Sequence, residues 1–138
     1  MHSGGRLPSL PYLLAVALLD GDALRLSPRD TMAYNWMNIA GIAKNHLRLW
    51  EQAVAWFRRA IETNRNFPHP YFILGVALAH LGRLNEAHSA VKAGLALNPA
   101  FSISRARANW TAMSDDPTYL AQGDRFYEGM RKAGLPES

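Results

Sequence analysis

The sequence of 138 residues predicts an all-α fold built from repeated helical hairpins. Two observations lead to this prediction. Small and apolar residues recur through the middle of the chain at a constant offset, which is the mark of a repeat architecture. Within each copy the apolar residues are spaced three and four positions apart, which is the period of an α-helix. Because 49% of the residues are hydrophobic, the chain can build one buried core.

The repeat offset pairs residues of the same kind. Gly41 and Gly75 are 34 positions apart (75 − 41), and Ala53 and Ala87 are separated by the same distance. Further pairs at this offset are His46 and His80, Phe57 and Val91, Ala60 and Gly94, and Asn64 and Asn98. Because the offset never drifts, no insertion separates the two copies, and each copy is expected to form one pair of helices.

Breaks in the apolar spacing delimit four predicted helices, near residues 35–47, 51–63, 69–81 and 85–97. The Leu-Gly-Arg segment at 81–83 predicts a turn, and Asn-Pro at 98–99 predicts the end of the second copy. Small residues at the paired positions allow two helices to approach closely. Gly75 is therefore expected at a helix contact, opposite Ala87 or a neighbour.

The second copy contains Tyr71-x-x-Leu74-Gly75-x-x-Leu78, followed by Ala87, Val91 and Pro99. This pattern resembles the tetratricopeptide repeat (TPR). In the first copy, Ala53-x-x-x-Phe57 matches the second-helix signature of that family, whereas Lys44 replaces an aromatic residue that the family prefers. The resemblance implies a right-handed superhelix of TPR helix-turn-helix hairpins, with degenerate capping helices at both ends.

The flanking segments are expected to be weaker copies of the repeat. The predicted organisation is a flexible N-terminus (1–7), a degenerate repeat helix with a linker (8–33), two TPR repeats (34–67 and 68–101), and a degenerate third repeat with a C-terminal capping helix (102–138). In the third copy Asn109 replaces the expected glycine. Asp116-Pro117 predicts the start of the last helix, and Gly134 predicts its end.

Composition limits the classes of partner. The net charge of +4 comes from cations spread along the chain, so a concentrated nucleic-acid surface is not expected. The apolar stretch Leu10–Leu19 is too short to span a membrane, and we interpret it as a buried helix rather than a secretion signal. The absence of cysteine excludes disulfides and thiolate metal sites, and it is compatible with a cytoplasmic protein.

The sequence contains none of the common catalytic motifs: no phosphate-binding loop, no HExxH and no nucleophile elbow. We therefore expect a protein that is not an enzyme and binds no cofactor. Adjacent Asp115 and Asp116 are interpreted as helix-capping residues rather than an acid/base pair. A zinc site at His46, His69 and His80 is not expected, since zinc ligands must converge to about 2 Å from the ion. The four tryptophans are interpreted as packing residues: Trp36, Trp50, Trp56 and Trp110.

The TPR resemblance also implies a binding surface, because the first helix of each repeat lines a concave groove in that family. Here the "predicted groove" comprises Asn38, Ile42, Asn45, His46, His69, Phe72, Ile73, Val76, His80 and Arg107. Its apolar centre, Phe72, Ile73 and Val76, is expected to be partly exposed. Only Asn38 and Arg107 match the donors of the carboxylate clamp that some members use. A partner's apolar helix or extended peptide is therefore the expected ligand. The alternative is that Leu10–Leu19 or a second copy of the chain already fills the groove.

Three short segments are similar to the C-terminal repeat region of bacterial class III adenylate/guanylate cyclases: 23–28, 79–84 and 128–136. This similarity implies a regulatory or interaction segment without cyclase activity, because no catalytic domain is present in the sequence. A second hypothesis is self-association. Two clear repeats are fewer than the three that a stable stack usually needs, so a homodimer would cover the open ends.

Overall fold

Six α-helices follow one another in the structure, a computed structural model that describes residues 33–113 and 115–138. They are α1 (Ala33–His46), α2 (Trp50–Thr63), α3 (His69–His80), α4 (Leu84–Leu97), α5 (Ile103–Met113) and α6 (Pro117–Lys132). These residues contain no β-strand, which confirms the predicted all-α class. The four helices expected from the apolar spacing are present, and each end lies within two residues of the predicted position. The predicted start of the last helix at Asp116-Pro117 is also confirmed.

The same tight turn joins α1 to α2 and α3 to α4. Gly82 adopts a left-handed conformation with φ of 79°, and Arg48 adopts it at the equivalent place with φ of 59°. In both turns, two successive N–H groups donate to carbonyls three and five residues back, which is a Schellman motif. Gly134, with φ of 96°, ends α6 in the same way. Because a side chain is unfavourable in this conformation, the turn at Arg48 is the more strained one.

Small residues hold the two helices of each hairpin together. A methyl group added to Gly75 would lie 2.8 Å from Cγ2 of Val91 and 3.5 Å from the carbonyl oxygen of Ala87. A methyl group added to Gly41 would overlap the ring of Phe57. The two contacts are equivalent in the repeat, because each places a glycine of the first helix against an apolar residue of the second. The prediction of a close contact at Gly75, opposite Ala87, is confirmed.

The hairpins stack through α2 and α3, which pack extensively against each other. Phe72 lies in the second hairpin, where its ring stacks on Phe101 at a centroid distance of 4.1 Å. It also covers Gly94, since a methyl group there would be 2.7 Å from the ring. The largest fully buried side chains are Phe57, Phe72, Leu78, Ile103, Val76, Asn45 and Pro70.

The last two helices do not repeat this arrangement. Helix α5 makes few contacts with α3 and α4, whereas α6 packs along α3. Asn109, at the repeat position of Gly75, is exposed. The close contact of this third pair is made instead by Gly129 of α6, where a methyl group would be 2.8 Å from Cγ1 of Val76. The third copy therefore makes its close helix contact through its second helix, whereas its first helix contributes Ile103 to the core.

The predictions for residues 1–7, and for 8–33 as far as residue 32, lie outside the described residues. They include the helix expected at Leu10–Leu19. The boundaries of the predicted repeat segments stay predictions. In the part of the chain that the structure describes, no helix is both long and apolar enough to cross a membrane.

Candidate protein-binding face

Helix α6 packs along α3 and reaches α1 at His46, so it covers part of the face that the sequence predicted as a groove. Its residues Phe126, Tyr127 and Met130 are all buried. Val76 of α3 is fully buried and lies against Gly129 of α6. Helix α6 runs antiparallel to α3, because His80 lies near Arg125 while Val76 lies near Gly129. The face is therefore a helix-binding surface that is occupied by a helix of the same chain.

The expected partial exposure of the groove centre is wrong. Phe72, Ile73 and Val76 are 1%, 5% and 0% exposed. Val76 is covered by α6, whereas Phe72 lies under Phe101 and against Gly94. The expectation places all three residues on one face, but Phe72 and Ile73 are neighbours in a helix and point in different directions. Phe72 is a core residue of the second hairpin.

Three histidines attach α6 to the rest of the molecule. His46 of α1 donates from Nδ1 to Oε1 of Gln122 at 3.0 Å. His80 of α3 donates from Nε2 to the carbonyl oxygen of Arg125 at 2.9 Å. His88 of α4 donates from Nε2 to the carbonyl oxygen of Lys132 at 3.1 Å. The donors are assigned to the rings because the oxygens only accept. Helices α1, α3 and α4 thus contribute one imidazole donor each to α6.

Aromatic contacts fix two of these imidazoles. Trp50 stacks on His80 with a centroid distance of 4.3 Å and an interplanar angle of 13°. The edge of His46 meets the ring of Phe126 at 5.2 Å. Trp50 therefore packs between the hairpins, as its helical spacing predicted. The stacked ring holds His80 in the orientation that its hydrogen bond to α6 requires.

His46 and His69 are neutral at physiological pH. Burial lowers the pKa of His46 to about 4; the hydrogen bond to Gln122 opposes this shift, and the charge of Arg125 adds to it. Burial also lowers the pKa of His69 to about 4. The Nδ1 atom of His69 accepts a hydrogen bond from Nδ2 of Asn38 at 2.9 Å. Asn38 and His69 therefore join α1 to α3, and this bond uses one of the two amide hydrogens of Asn38.

Several buried polar atoms of α1 and α6 lack a hydrogen-bond partner among the described residues. They are both amide atoms of Asn45, Oδ1 of Asn38 and the hydroxyl of Tyr127. Asn45 is 1% exposed and Asn38 is 3% exposed. Leaving a buried polar group unpaired costs roughly 1–3 kcal/mol. These residues thus retain unused capacity for hydrogen bonding.

The remaining groove residues lie at its margin. Ile42 is half-buried and packs against the core. Arg107 of α5 is exposed, and its guanidinium lies 4.6 Å above the ring of Tyr127. The structure therefore brings His46, Val76, His80 and Arg107 together around α6. In the described part of the chain, no group of three His, Asp or Glu residues is arranged to hold a metal ion.

A cavity of about 550 Å³ lies elsewhere, between α2 and α4 and above α3. Ile61, Tyr71, Leu74 and Leu78 contribute apolar surface to its lining. An exposed ion pair between Arg58 and Glu86, at 3.2 Å, links its two sides. The charges at its rim are mixed in sign, and no pattern in the sequence predicted this cavity.

The residues of α6 that contact the face were not predicted as functional. The sequence showed Phe126, Tyr127 and Met130 on one broad apolar face and indicated an end cap. Gly129 and Ala133, four residues apart within a helical segment, were the missed signal, because small residues at this spacing let another helix approach. The occupants considered from the sequence were Leu10–Leu19 and a second copy of the chain.

Comparison with known proteins gives a fold but no family. No family model matches the chain, and no curated protein matches it. Among solved structures, the chain is similar to the crystal structure of MamA, a TPR-containing protein, with a TM-score of 0.54 and 20% sequence identity. The match covers 90% of this chain and 74% of the MamA chain. The likeness shows a TPR-like helical repeat.

Proposed function

We propose that the chain is a non-catalytic protein-interaction module that binds a helix or an extended peptide of a partner protein on the face of α1 and α3. The main observation in support is that an amphipathic helix, α6, already binds here. Buried apolar residues and three histidine donors hold it in place. Helix-in-groove binding is a common mode of peptide recognition. The TPR-like fold supports the same interpretation.

Polar groups on this face suit the backbone or side chains of a partner. Asn45 presents an amide with one acceptor and two donor hydrogens, all without a partner among the described residues. Arg107, exposed at the margin, is proposed to meet an acidic group of the partner. We do not propose a cofactor, a nucleic-acid ligand or a membrane ligand.

A matched pair of substitutions tests the location of the binding face. Ile42 on α1 and Ile61 on α2 are both half-buried and pack against the core, but Ile61 lines the cavity between α2 and α4. Wild type, Ile42→Lys and Ile61→Lys are immobilised and used to capture partners from lysate. A partner that wild type and Ile61→Lys retain, and that Ile42→Lys captures at least fivefold less, supports the proposal. If Ile42→Lys retains the partner and Ile61→Lys loses it, the binding site is the cavity between α2 and α4.

We also propose a cytoplasmic location and a regulatory role related to adenylate cyclases. The second proposal rests on the similarity of three short segments to cyclase C-terminal repeats. If it is correct, the captured partner is a class III cyclase or one of its regulators, and adding the chain changes nucleotide cyclisation by that enzyme. An unchanged cyclase rate at saturating chain concentration would reject this role.

The alternative function is self-association. It is favoured by the exposure of α5, whose described side chains between Ser104 and Ala112 are almost all accessible. Such a helix presents surface that a neighbouring copy can cover. Sedimentation equilibrium separates the two functions: a concentration-dependent dimer supports self-association, and a monomer throughout supports binding of a different protein.

A further inference from the structure

Two arginines lie close together where the end of α1 meets α6. Nδ1 of His46 donates to Oε1 of Gln122 at 3.0 Å, and the ring of His46 lies 5.2 Å from that of Phe126. Arg125 shares this face of α6 with Gln122, because helix residues three positions apart are neighbours. Arg48 follows His46 by two residues, in the turn that ends α1. The turn after α1 thus approaches the part of α6 that contains Arg125.

The positive charges of these two arginines have no acidic partner. Burial first and the nearby charge of Arg48 second lower the pKa of Arg125. Among the described residues, no carboxylate forms an ion pair with Arg48 or Arg125. Glu51, the acidic residue nearest to Arg48 in sequence, pairs with Arg83 at 3.0 Å instead. The end of α1 and α6 therefore present two neighbouring cations that repel each other.

The backbone adds a second unfavourable term at Arg48. Its φ of 59° lies in the left-handed region, which is unfavourable for a residue with a side chain. Gly82 occupies the equivalent place in the second hairpin and forms the same turn, so the fold does not require an arginine here. Strained backbone of this kind is concentrated at functional sites. A ligand that binds the guanidinium accounts for the residue at position 48, whereas the turn does not.

Two guanidinium groups match the charge and the oxygens of a phosphate group. A phosphorylated side chain carries a charge of about −1.5 to −2 at neutral pH and has three acceptor oxygens. Each guanidinium can donate two parallel hydrogen bonds to such an anion. A carboxylate has a single negative charge and two oxygens, so it would leave one arginine unbalanced. The pair therefore fits a phosphate better than the side chain of Asp or Glu.

Two exposed leucines adjoin the arginine pair. Leu47 and Leu49 flank Arg48 in sequence, and they are 44% and 38% exposed. A free phosphate ion would not use this apolar surface, whereas a phosphorylated residue with apolar neighbours would cover it. Recognition of an anionic membrane typically involves clusters of about four to eight cations, and this site has two. A phosphorylated segment of a partner protein is therefore the favoured ligand.

We propose that Arg48 and Arg125 bind the phosphate group of a phosphorylated partner protein, and that Leu47 and Leu49 contact the apolar residues beside it. Helix α6 stays in place, since it supplies Arg125. The site is separate from the face of α1 and α3 named in the proposed function, because Arg48 follows the end of α1 and Arg125 belongs to α6. Either site can therefore be disproved without the other.

Binding of two fluorescent peptides to the full chain, followed by fluorescence anisotropy, tests the proposal. One peptide has a central phosphoserine flanked by leucines, and the other has serine at that place. We expect wild type to bind the phosphopeptide at least tenfold more tightly than the serine peptide. Arg48→Gly and Arg125→Gln should each weaken phosphopeptide binding at least fivefold. Arg65→Gln is the control and should bind like wild type, because Arg65 is an exposed cation at the opposite end of the first hairpin.

Four results would overturn the proposal. Equal affinity for the two peptides rejects a phosphate site, and unchanged phosphopeptide binding in either arginine variant rejects this location. Inorganic phosphate that displaces the phosphopeptide at the peptide's own Kd would identify a free anion as the ligand. Vesicles of phosphatidylcholine and phosphatidylserine that bind wild type but neither arginine variant, without binding of the phosphopeptide, would identify a membrane. Unfolding does not explain a loss of binding in Arg48→Gly, because glycine relieves the strain of this turn, and this variant decides alone if Arg125→Gln does not fold.

Discussion

The two regular hairpins and the C-terminal pair differ in which helix meets the core. In the hairpins, Gly41 and Gly75 lie on the first helix and pack against the second. In the C-terminal pair the first helix has Asn109 at that position, and the glycine, Gly129, lies on the second helix. Helix α5 is accordingly exposed and α6 is buried against α3.

The comparison indicates that the position of one small residue selects the packing partner of a helix. A side chain of the size of asparagine does not fit where Gly75 meets Val91, since even a methyl group would approach to 2.8 Å. A regular third repeat is therefore disfavoured. Gly129 provides an alternative close contact against Val76 and His80, and α6 takes it. The irregular pair covers the face that regular repeats would leave open.

The largest effect on stability is expected at Phe72. This variant tests whether the side chain belongs to the core of the hairpins or to the surface under α6. Phe72→Ala should lower the free energy of unfolding by about 3–5 kcal/mol, because the ring fills the space between Gly94 and Phe101. Urea denaturation followed by circular dichroism measures the change. Phe72→Leu, which retains more volume, is the control and should lose less. If the alanine variant instead has unchanged stability and binds a partner less well, Phe72 is a groove residue and not a core residue.

The next prediction tests the comparison at two equivalent positions. Gly75→Leu should cost on the order of 1–3 kcal/mol, because the added atoms collide with Val91 at the closest contact of the hairpin. Asn109→Leu, 34 positions later, should change stability by no more than about 0.5 kcal/mol, because Asn109 is exposed. The melting temperatures of both variants measure the two changes in stability. Equal losses would mean that the third pair packs as a regular repeat.

Local spacing was sufficient to predict the regular part of the fold. Helix ends, the turn at 81–83 and the contact of Gly75 with the second helix all follow from periods and small residues within one repeat. The resemblance to TPR proteins located the face of α1 and α3. His46, Val76 and His80 do lie there.

The occupant of that face could not be predicted in the same way. Helix α6 lies far in sequence from the residues that it contacts: the separation is 45 for His80 and Arg125, and 76 for His46 and Gln122. Its apolar stripe is equally compatible with an end cap and with a bound helix. Whether Phe72 faces α6 or α4 depends on the rotation of α3 between its neighbours, which a short apolar run does not determine.

A pH titration compares the histidine under α6 with the one inside the regular hairpins. The folded-state pKa values of His46 and His69 are about 4, below the value of 6.5 expected when unfolded. The unfolded chain therefore binds more protons below pH 6.5, so the free energy of unfolding should fall as pH drops from about 6.5 to about 4. Each histidine should contribute roughly 1–3 kcal/mol to this loss.

Urea denaturation at pH 7.5, 5.5 and 4.5 measures the effect. Substituting His69→Gln should flatten the dependence, because glutamine does not titrate and its oxygen can still accept from Asn38. His46→Gln should flatten it too, and comparison of the two separates the α6 interface from the contact between α1 and α3. A stability that is constant between pH 7.5 and 4.5 would show that both imidazoles are hydrated.

The smallest expected effect compares the two hairpin turns with each other. Arg48 and Gly82 are equivalent in the repeat, and both have a positive φ, but only glycine adopts it without steric cost. Arg48→Gly should therefore stabilise the protein by about 0.5–1 kcal/mol, since the relief of strain exceeds the entropy that glycine adds to the unfolded chain. Charge contributes as well, because burial first and the nearby charge of Arg48 second lower the pKa of Arg125. Arg48→Ala separates the two causes: it removes the charge but keeps a side chain in the left-handed conformation.

We expect the glycine variant to melt at a higher temperature than the alanine variant, and Gly82→Ala to melt below wild type. If alanine and glycine at position 48 give the same melting temperature, the strain is absent and only the repulsion from Arg125 distinguishes the first turn from the second.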